Sequence, residues 1–303
     1  RPHVQGHVRG EDGEVTASVS VVIPTLNAGR EIGGLLDSLL SQTVVPGEIL
    51  VMDSSSEDAT RDIVASYAGR GVSLDVIERT EFNHGATRHR AFMRTVGDYT
   101  LFMTQDAVPA GDRYIERLVA PLEADKTIAL VSGRQLPKPD ARRFEQLVRA
   151  FNYPDEPSVR GAEDLPSYGI KTFFASDVCS AYRRTAYMEC GGFAPVNTNE
   201  DMLMAARLIA VGHKVAYEPS AAVYHSHNLT PGQQFRRNRE VGAFLAAHAG
   251  ELMGASEIGE GGRLVKAVSA QLLREGRLGE FVAFGFDCAA RLAGNRIGRR
   301  SAK

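Results

Sequence analysis

A single carboxylate, Asp106, closes the stretch Thr104-Gln105-Asp106 just after an apolar run, residues 99–103, that reads as a buried strand. Ligands of open α/β sheets bind beyond the C-terminal ends of the strands. A carboxylate delivered there suits a divalent cation that holds a diphosphate; the plainer alternative is an Asp that opens the turn before Pro109. Two more acids, Glu200 and Asp201, follow Asn199 at the start of a helical pattern. They read either as groups that cap the helix and offset its dipole or as a general base for an acceptor hydroxyl, a role worth ~10²–10⁴-fold in rate. The dipole is expected to lower the pKa of whichever acid serves, so that the base acts late, as the hydroxyl becomes acidic. In Tyr224-His-Ser-His227, His225 and His227 point to one side of an extended chain. One imidazole there completes a cation site with Asp106 and a diphosphate, or is an ordinary hydrogen-bonded residue at a strand end.

Three loops offer polar groups near these acids. In Ile23-Pro-Thr-Leu-Asn27, Pro24 stops a strand while Thr25 and Asn27 present side chains and backbone N–H groups. Asp53-Ser-Ser-Ser-Glu-Asp58 carries acids and hydroxyls that can bond a ribose or a pyrimidine edge. Both loops read equally as turn and capping chemistry. In Phe82-Asn-His-Gly-Ala-Thr-Arg88, Gly85 lets the backbone approach a ligand closely and Arg88 faces a base or phosphate; the alternative is a plain loop before a basic helix. No Gly-x-Gly-x-x-Gly follows the first strand and no Walker lysine motif occurs, so neither a dinucleotide fingerprint nor a P-loop is present.

The elements that must position these groups alternate. Strands are predicted at 18–23, 48–52, 72–77, 99–103 and 128–131, with helical spacing at Ile32 to Leu40, around Ile63 to Tyr67, over 85–95 and from Ile115 to Leu122. This alternation implies a Rossmann-like, mostly parallel sheet with helices on both faces. It breaks near Arg134. Residues 134–172 are rich in proline and aromatics and read as a lid or substrate wall, with Phe144 and Phe151 assigned to a small core and Tyr153 and Tyr168 to the surface. A helix over 200–211 follows, with Leu203, Met204, Leu208 and Val211 inward and Gly212 as its C′ residue. Short strands are expected at 214–217 and 222–225. A helix at 235–248 carries Arg236, Arg237 and Arg239, which face a diphosphate, a lipid phosphate or plain solvent.

The chain has 303 residues, 43% apolar, with a formal net charge of −2. That is enough for one large domain with an appendage, and it points away from nucleic acid as a partner. Three scattered cysteines argue against a disulfide framework and for a reducing, cytoplasmic setting. No apolar run reaches the roughly 18–20 residues of a membrane span, and no secretory signal is evident. The expected organisation is a loose arm at 1–17, a catalytic domain at 18–232 and a helical extension at 233–303. From 261 to 303 nine Lys/Arg face three Asp/Glu, interleaved with apolar residues. Such a tail lies on an anionic membrane surface or packs on the body with a solvated basic face.

Taken in order, Val-Val-Ile-Pro-Thr-Leu-Asn27, Asp53-Ser-Ser-Ser-Glu-Asp-Ala-Thr60, Thr104-Gln-Asp-Ala107, Asn199-Glu-Asp201 and a downstream His resemble an inverting family 2 glycosyltransferase with the GT-A fold, over about residues 18–230. The resemblance implies a nucleotide-diphosphate-sugar donor. Pro24, Thr25, Asn27, Asp53 and Ser55 would take the nucleoside, and Asn83, Gly85, Arg88 and Gln105 would add donor contacts. Asp106 matches the metal-binding carboxylate of the family's Asp-x-Asp motif, and His225 the later ligand of Mg²⁺ or Mn²⁺. Asp201, preceded by Glu200, matches the base of the Glu-Asp motif. A single in-line displacement is implied, with Arg88 and the cation stabilising the departing diphosphate. Three positions depart from the pattern: Thr104 stands for the first Asp of Asp-x-Asp, Ser54 for a usual Asp and His89 for a usual Asn.

Phe82-Asn-His-Gly-Ala-Thr-Arg88 with Thr104-Gln-Asp-Ala107 and Asp53-Ser-Ser-Ser56 is similar to the bacterial rhamnosyltransferase branch. That branch implies dTDP-β-L-rhamnose as donor and a cell-surface polysaccharide or lipid-linked glycan as acceptor, at the inner face of the plasma membrane. The rivals are the same fold with a UDP-hexose or galactofuranose donor, and a non-catalytic nucleotide-sugar or glycan-binding module, against which the pair Asp106 and Asp201 speaks. A nicotinamide oxidoreductase lacks its glycine fingerprint.

Overall fold

The computed structural model describes residues 17–255 and 260–302; the expected N-terminal arm, apart from Ala17, lies outside them. Val-rich β1 (Val19–Thr25) leads through α1 (Ile32–Leu40) to β2 (Glu48–Asp53), α2 (Thr60–Ser66), β3 (Val72–Val76), α3 (His84–Phe92) and β4 (Tyr99–Met103). These four strands run parallel in the order β3-β2-β1-β4. Their residues alternate between the two faces. Val19, Val21 and Ile23 enter one core with Leu35, Leu36 and Leu39, while Val22 enters the other with Phe92 and Phe102. Burial on both faces explains why the strands read as continuous apolar runs. Each fully buried Leu of α1 contributes on the order of 2 kcal/mol.

The second half differs from the sequence expectation. After β5 (Val108–Pro109) and α4 (Tyr114–Ala124), β6 runs from Ile128 to Leu136, longer than the run ending at 131 suggests. The segment 134–172 contains α5 (Arg143–Asn152), β7 (Ser158–Arg160) and the one-turn α6 (Leu165–Tyr168). Phe144 and Tyr153 are both buried, Tyr153 against Phe174 and Tyr217, whereas Tyr168 is exposed and Phe151 is half-buried beside Lys171. The surface assignment of Tyr153 is therefore corrected: its ring is needed to close the aromatic cluster over β9.

An unpredicted strand, β8 (Cys179–Arg183), inserts antiparallel between β4 and β6, so the later part of the nine-stranded sheet is mixed rather than parallel. Its polar composition hides it, because Ser180 and Tyr182 are buried with their hydroxyls donating to Asp177. Then come α7 (Arg184–Glu189), α8 (Glu200–Ala210) and β9 (Lys214–Tyr224). Gly212 takes φ +95 just past α8, as its C′ role requires, but Val211 is exposed. The two expected short strands form one β9, with the pairing jumping from Gly133–Glu218 to Arg134–Ala222. That bulge carries the chain on to His225.

The C-terminal helices α9 (Pro231–Ala247), α10 (Glu260–Arg274) and α11 (Leu278–Ser301) pack on the body. Phe144 and Val148 of α5 share a core with Val268, Leu272 and Phe284. The α9–α11 crossing is glycine-dependent: a Cβ at Gly294 would lie 2.4 Å from the Phe235 carbonyl oxygen, and one at Gly298 1.9 Å from that of Arg239. No helix among the described residues is long and apolar enough to cross a membrane.

Candidate active site

The register pairs Thr25 with Asp53, so the loops after β1 and β2 emerge side by side. Asp53 is fully buried: it accepts from Thr25 Oγ1 (3.0 Å), Ser56 Oγ (2.5 Å) and Ser56 N (2.8 Å). These three bonds shape the loop. Ser55, at φ +55, donates to Ile77 O at 2.8 Å and is likewise spent on the loop. Asn27, at φ +51, accepts from Glu57 N at 2.9 Å, and Gln105 clasps Leu26 through both its N–H (2.8 Å) and its carbonyl (3.2 Å).

These bonds hold the walls of a cavity of about 560 Å³ to which Pro24, Thr25, Gln105 and Asp106 contribute. Ser54 and Thr104, two of the three departures from the family pattern, also line it, and both hydroxyls are buried without a partner. Sequence reasoning missed Lys138, which also lines this cavity, and noted His227 beside His225 without assigning it.

Asn83 and Gly85 serve the fold. Asn83 caps α3 by accepting from Ala86 N (2.9 Å) and donates to Asn197 Oδ1 (2.7 Å). A Cβ at Gly85 would lie 1.8 Å from the Ala194 carbonyl oxygen. The close approach made by Gly85 is therefore to the loop that leads into α8, not to a ligand.

Asp106 converges with both histidines. His225 Nε2 lies 3.5 Å from its Oδ1, while His227 Nε2 (3.4 Å) and Lys138 Nζ (3.2 Å) approach its Oδ2. The candidate ligand atoms of Asp106, His225 and His227 all lie within 4.8 Å of one another. His225 Nδ1 is 2.9 Å from Gln135 Oε1, which also accepts from Arg149. The Nδ1–H therefore donates to Gln135, and Nε2 keeps its lone pair toward the cluster. Burial pushes the pKa of His225 down to about 3, so the imidazole is neutral, as a ligand must be. For Asp106 burial acts upward, but His225, Lys138 and His227 around it prevail and hold it below its usual value. Two neutral imidazoles and an ionised carboxylate form a donor set that fits a divalent transition ion such as Mn²⁺.

The second acid site is a buried charge array. Arg88 is buried, with Nη1 2.9 Å from Glu200 Oε1 and Nε 3.8 Å from Asp177 Oδ2. Its guanidinium pairs with these carboxylates, and Arg88 also lines the cavity beside Asp106. Asp201 Oδ2 accepts from Asp177 N at 3.2 Å, and Oδ1 from Met202 N at 2.7 Å. The pKa of Asp201 is raised well above the carboxylate range, by burial first and then by Glu200 and Asp177. This overturns the expected lowering: desolvation and two like charges outweigh the helix terminus and the backbone donors. The same causes put Asp177 at about 6 despite Arg88.

A second cavity, about 480 Å³, borders this array. Asn199 and Met202, on either side of Asp201 in sequence, line it, and His227 lines both cavities. The cation cluster therefore stands at the junction of two chambers, one bounded by the β1 and β2 loops and one by the start of α8.

Strand-end loops, a carboxylate–histidine cluster and a buried acid pair on a mixed α/β sheet define a glycosyltransferase. The chain belongs to glycosyl transferase family 2, whose family model matches residues 20–191. It is 39% identical over 264 residues to the O-antigen chain rhamnosyltransferase WbaN of Salmonella anatum (85% of this chain, 82% of the relative), and 40% identical over 262 residues to RfbN of Salmonella typhimurium (84% and 82%). Among solved structures it resembles the mannosyltransferase PcManGT from Pyrobaculum calidifontis in complex with GDP-Man and Mn²⁺, with TM-score 0.66, 16% identity and coverage of 100% of this chain and 92% of the other. That likeness shows the GT-A fold.

Proposed function

We propose that this glycosyltransferase moves L-rhamnose from dTDP-β-L-rhamnose, with inversion, onto a hydroxyl of a cell-surface polysaccharide or lipid-linked glycan. One observation carries the reading: Asp106, His225 and His227 cluster where the two cavities meet, with residues flanking Asp201 bounding the far one. The relatives named O-antigen chain rhamnosyltransferases support rhamnose as the sugar.

The nucleoside occupies the cavity bounded by Pro24, Thr25 and Ser54, and its diphosphate extends toward Asp106, His225, His227 and Lys138. A bound Mg²⁺ or Mn²⁺ supplies Lewis-acid stabilisation of the leaving diphosphate. Lys138 adds a positive charge on the same side. Asp201 removes the acceptor proton; its raised pKa brings it closer to that of the hydroxyl it must deprotonate. Glu200 and Asp177 set that basicity while Arg88 keeps the array folded. Attack from the Asp201 side, with departure toward Asp106, is a single displacement and inverts the anomeric carbon.

The outer face of α11 exposes Leu278, Val282 and Phe286, with Arg296 and Arg300 farther along. This face suits peripheral contact with anionic lipid, at the inner face of the plasma membrane. The purified protein, given dTDP-rhamnose, UDP-hexoses and UDP-galactofuranose with a glycan-lipid extract and Mn²⁺, is expected to consume dTDP-rhamnose. Turnover of a UDP-sugar alone would overturn the donor assignment, and failure to sediment with anionic vesicles would remove the membrane contact.

A further inference from the structure

The cavity beside Asp201 holds three guanidinium groups, from Arg149, Arg237 and Arg291. Two are matched by acids: Arg149 Nε donates to Glu145 at 2.9 Å, and Arg291 Nε to Asp287 at 2.6 Å. Among the described residues the Arg237 side chain makes no hydrogen bond and no ion pair. Desolvation first, and then the charges of nearby Arg149 and Arg291, hold its pKa below the usual arginine value, with Tyr153 and Glu145 acting the other way. Arg237 is exposed at this cavity, and a surplus cation among like charges offers an arriving anion a charge-assisted partner.

Position decides which substrate brings that anion. The nucleoside loops lie in the other cavity, across His227. Asn199 and Met202 place this one on the side of the base, and a hydroxyl that gives its proton to Asp201 must approach from there. Two built features aim the arginines. A capping box between Thr230 and Gln233 starts α9, which carries Arg237. The close α9–α11 crossing at Gly294 and Gly298 brings Arg291 against the same space.

We propose that this cavity receives the acceptor and that Arg237, flanked by Arg149 and Arg291, binds a phosphate group carried by it. The inference rests on the transfer reading above, in which Asp201 is the base. The ligand is a phosphate ester, borne either by a lipid or by a soluble glycan.

The test is calorimetric titration of the full chain with the donor site filled by saturating dTDP and Mg²⁺, using inorganic phosphate and octyl phosphate as probes. Arg237→Ala is expected to weaken phosphate binding by about tenfold or more, the scale of a charge-assisted bond, and to leave dTDP–Mg²⁺ affinity within about twofold. The unchanged nucleotide affinity also reports that the variant is folded, and Arg237→Lys is expected to recover part of the loss. Tighter binding of octyl phosphate assigns the phosphate to a lipid, and equal binding to a soluble ester; both support the site. Equal phosphate affinity in the parent protein and Arg237→Ala, no phosphate binding at all, or a parallel loss of dTDP affinity would each overturn it. If the parent protein fails to bind dTDP–Mg²⁺, the transfer reading fails instead, and the phosphate comparison is then read without nucleotide.

Discussion

Gln135 accepts through one amide oxygen from both His225 Nδ1 and Arg149, so a single side chain ties the cation cluster to the arginines of the neighbouring cavity. Its amide nitrogen is held in turn by Ser176 Oγ at 2.8 Å. Gln135 therefore fixes the His225 tautomer. Gln135→Leu is expected to lower Mn²⁺ affinity by about 10–100-fold, the usual cost of losing an outer-shell partner. Mn²⁺ titration by paramagnetic resonance checks this, and unchanged affinity would show that His225 is oriented by other contacts.

Asp106→Asn removes the negative charge that His225, His227 and Lys138 surround. Loss of a group that stabilises the leaving charge costs on the order of 10²–10³-fold in kcat. Steady-state transfer assays with varied Mn²⁺ are expected to show that loss together with a weakened metal response. A variant with parental kcat and metal dependence would place the cation elsewhere.

Asp201→Asn keeps size and one of the two backbone bonds but cannot take a proton. Transfer is expected to fall by ~10²–10⁴-fold, with dTDP affinity unchanged by calorimetry. Because the carboxyl pKa is raised, parental activity is expected to decline as pH falls through that raised value. Activity that is flat across the acid range would assign the base to another group.

Asp177 titrates at about 6 in the folded chain, above the carboxylate value of 3.8. Between those values the native state binds a proton that the unfolded state has lost, so stability falls as pH rises through this window and levels off above it. Asp177→Asn is expected to stabilise the protein by on the order of 2 kcal/mol at about pH 8, with the gain vanishing near pH 4. Urea melts at the two pH values measure it, and destabilisation at the higher pH would mean that the Arg88 contact outweighs desolvation.

Gly298→Ala pushes a methyl group into the Arg239 carbonyl. Overpacking of this kind costs about 1–3 kcal/mol, seen as a lower Tm. A Tm equal to that of the parent would show that α11 can shift away without loss.

Much of the site was legible because acids and histidines at strand and helix ends are spaced by local geometry. Spacing singled out Asp106, the His225–His227 pair and the Glu200–Asp201 pair, the family resemblance chose His225 and Asp201 among them, and the folded chain brings Asp106 and both histidines together. Which polar groups are spent on the fold was not legible. Asp53 and Ser55 look like ligand groups in sequence, yet one is buried under three donors and the other bonds Ile77. Gly85 and Arg88 are likewise claimed by residues more than a hundred positions away or nearly so. β8 escaped notice because a strand made of Cys, Ser, Ala, Tyr and Arg has no apolar periodicity. His227 was noted beside His225 but not assigned, since only the folded chain shows it at the junction of the cavities.

α11 faces two ways. Asp287 and Arg291 look inward, while Leu278, Val282 and Phe286 look outward. The C-terminal segment is therefore masonry rather than a tether. Trimming it to obtain a smaller catalytic unit would breach the chamber beside Asp201, and whatever leans on its outer side presses on that chamber's wall.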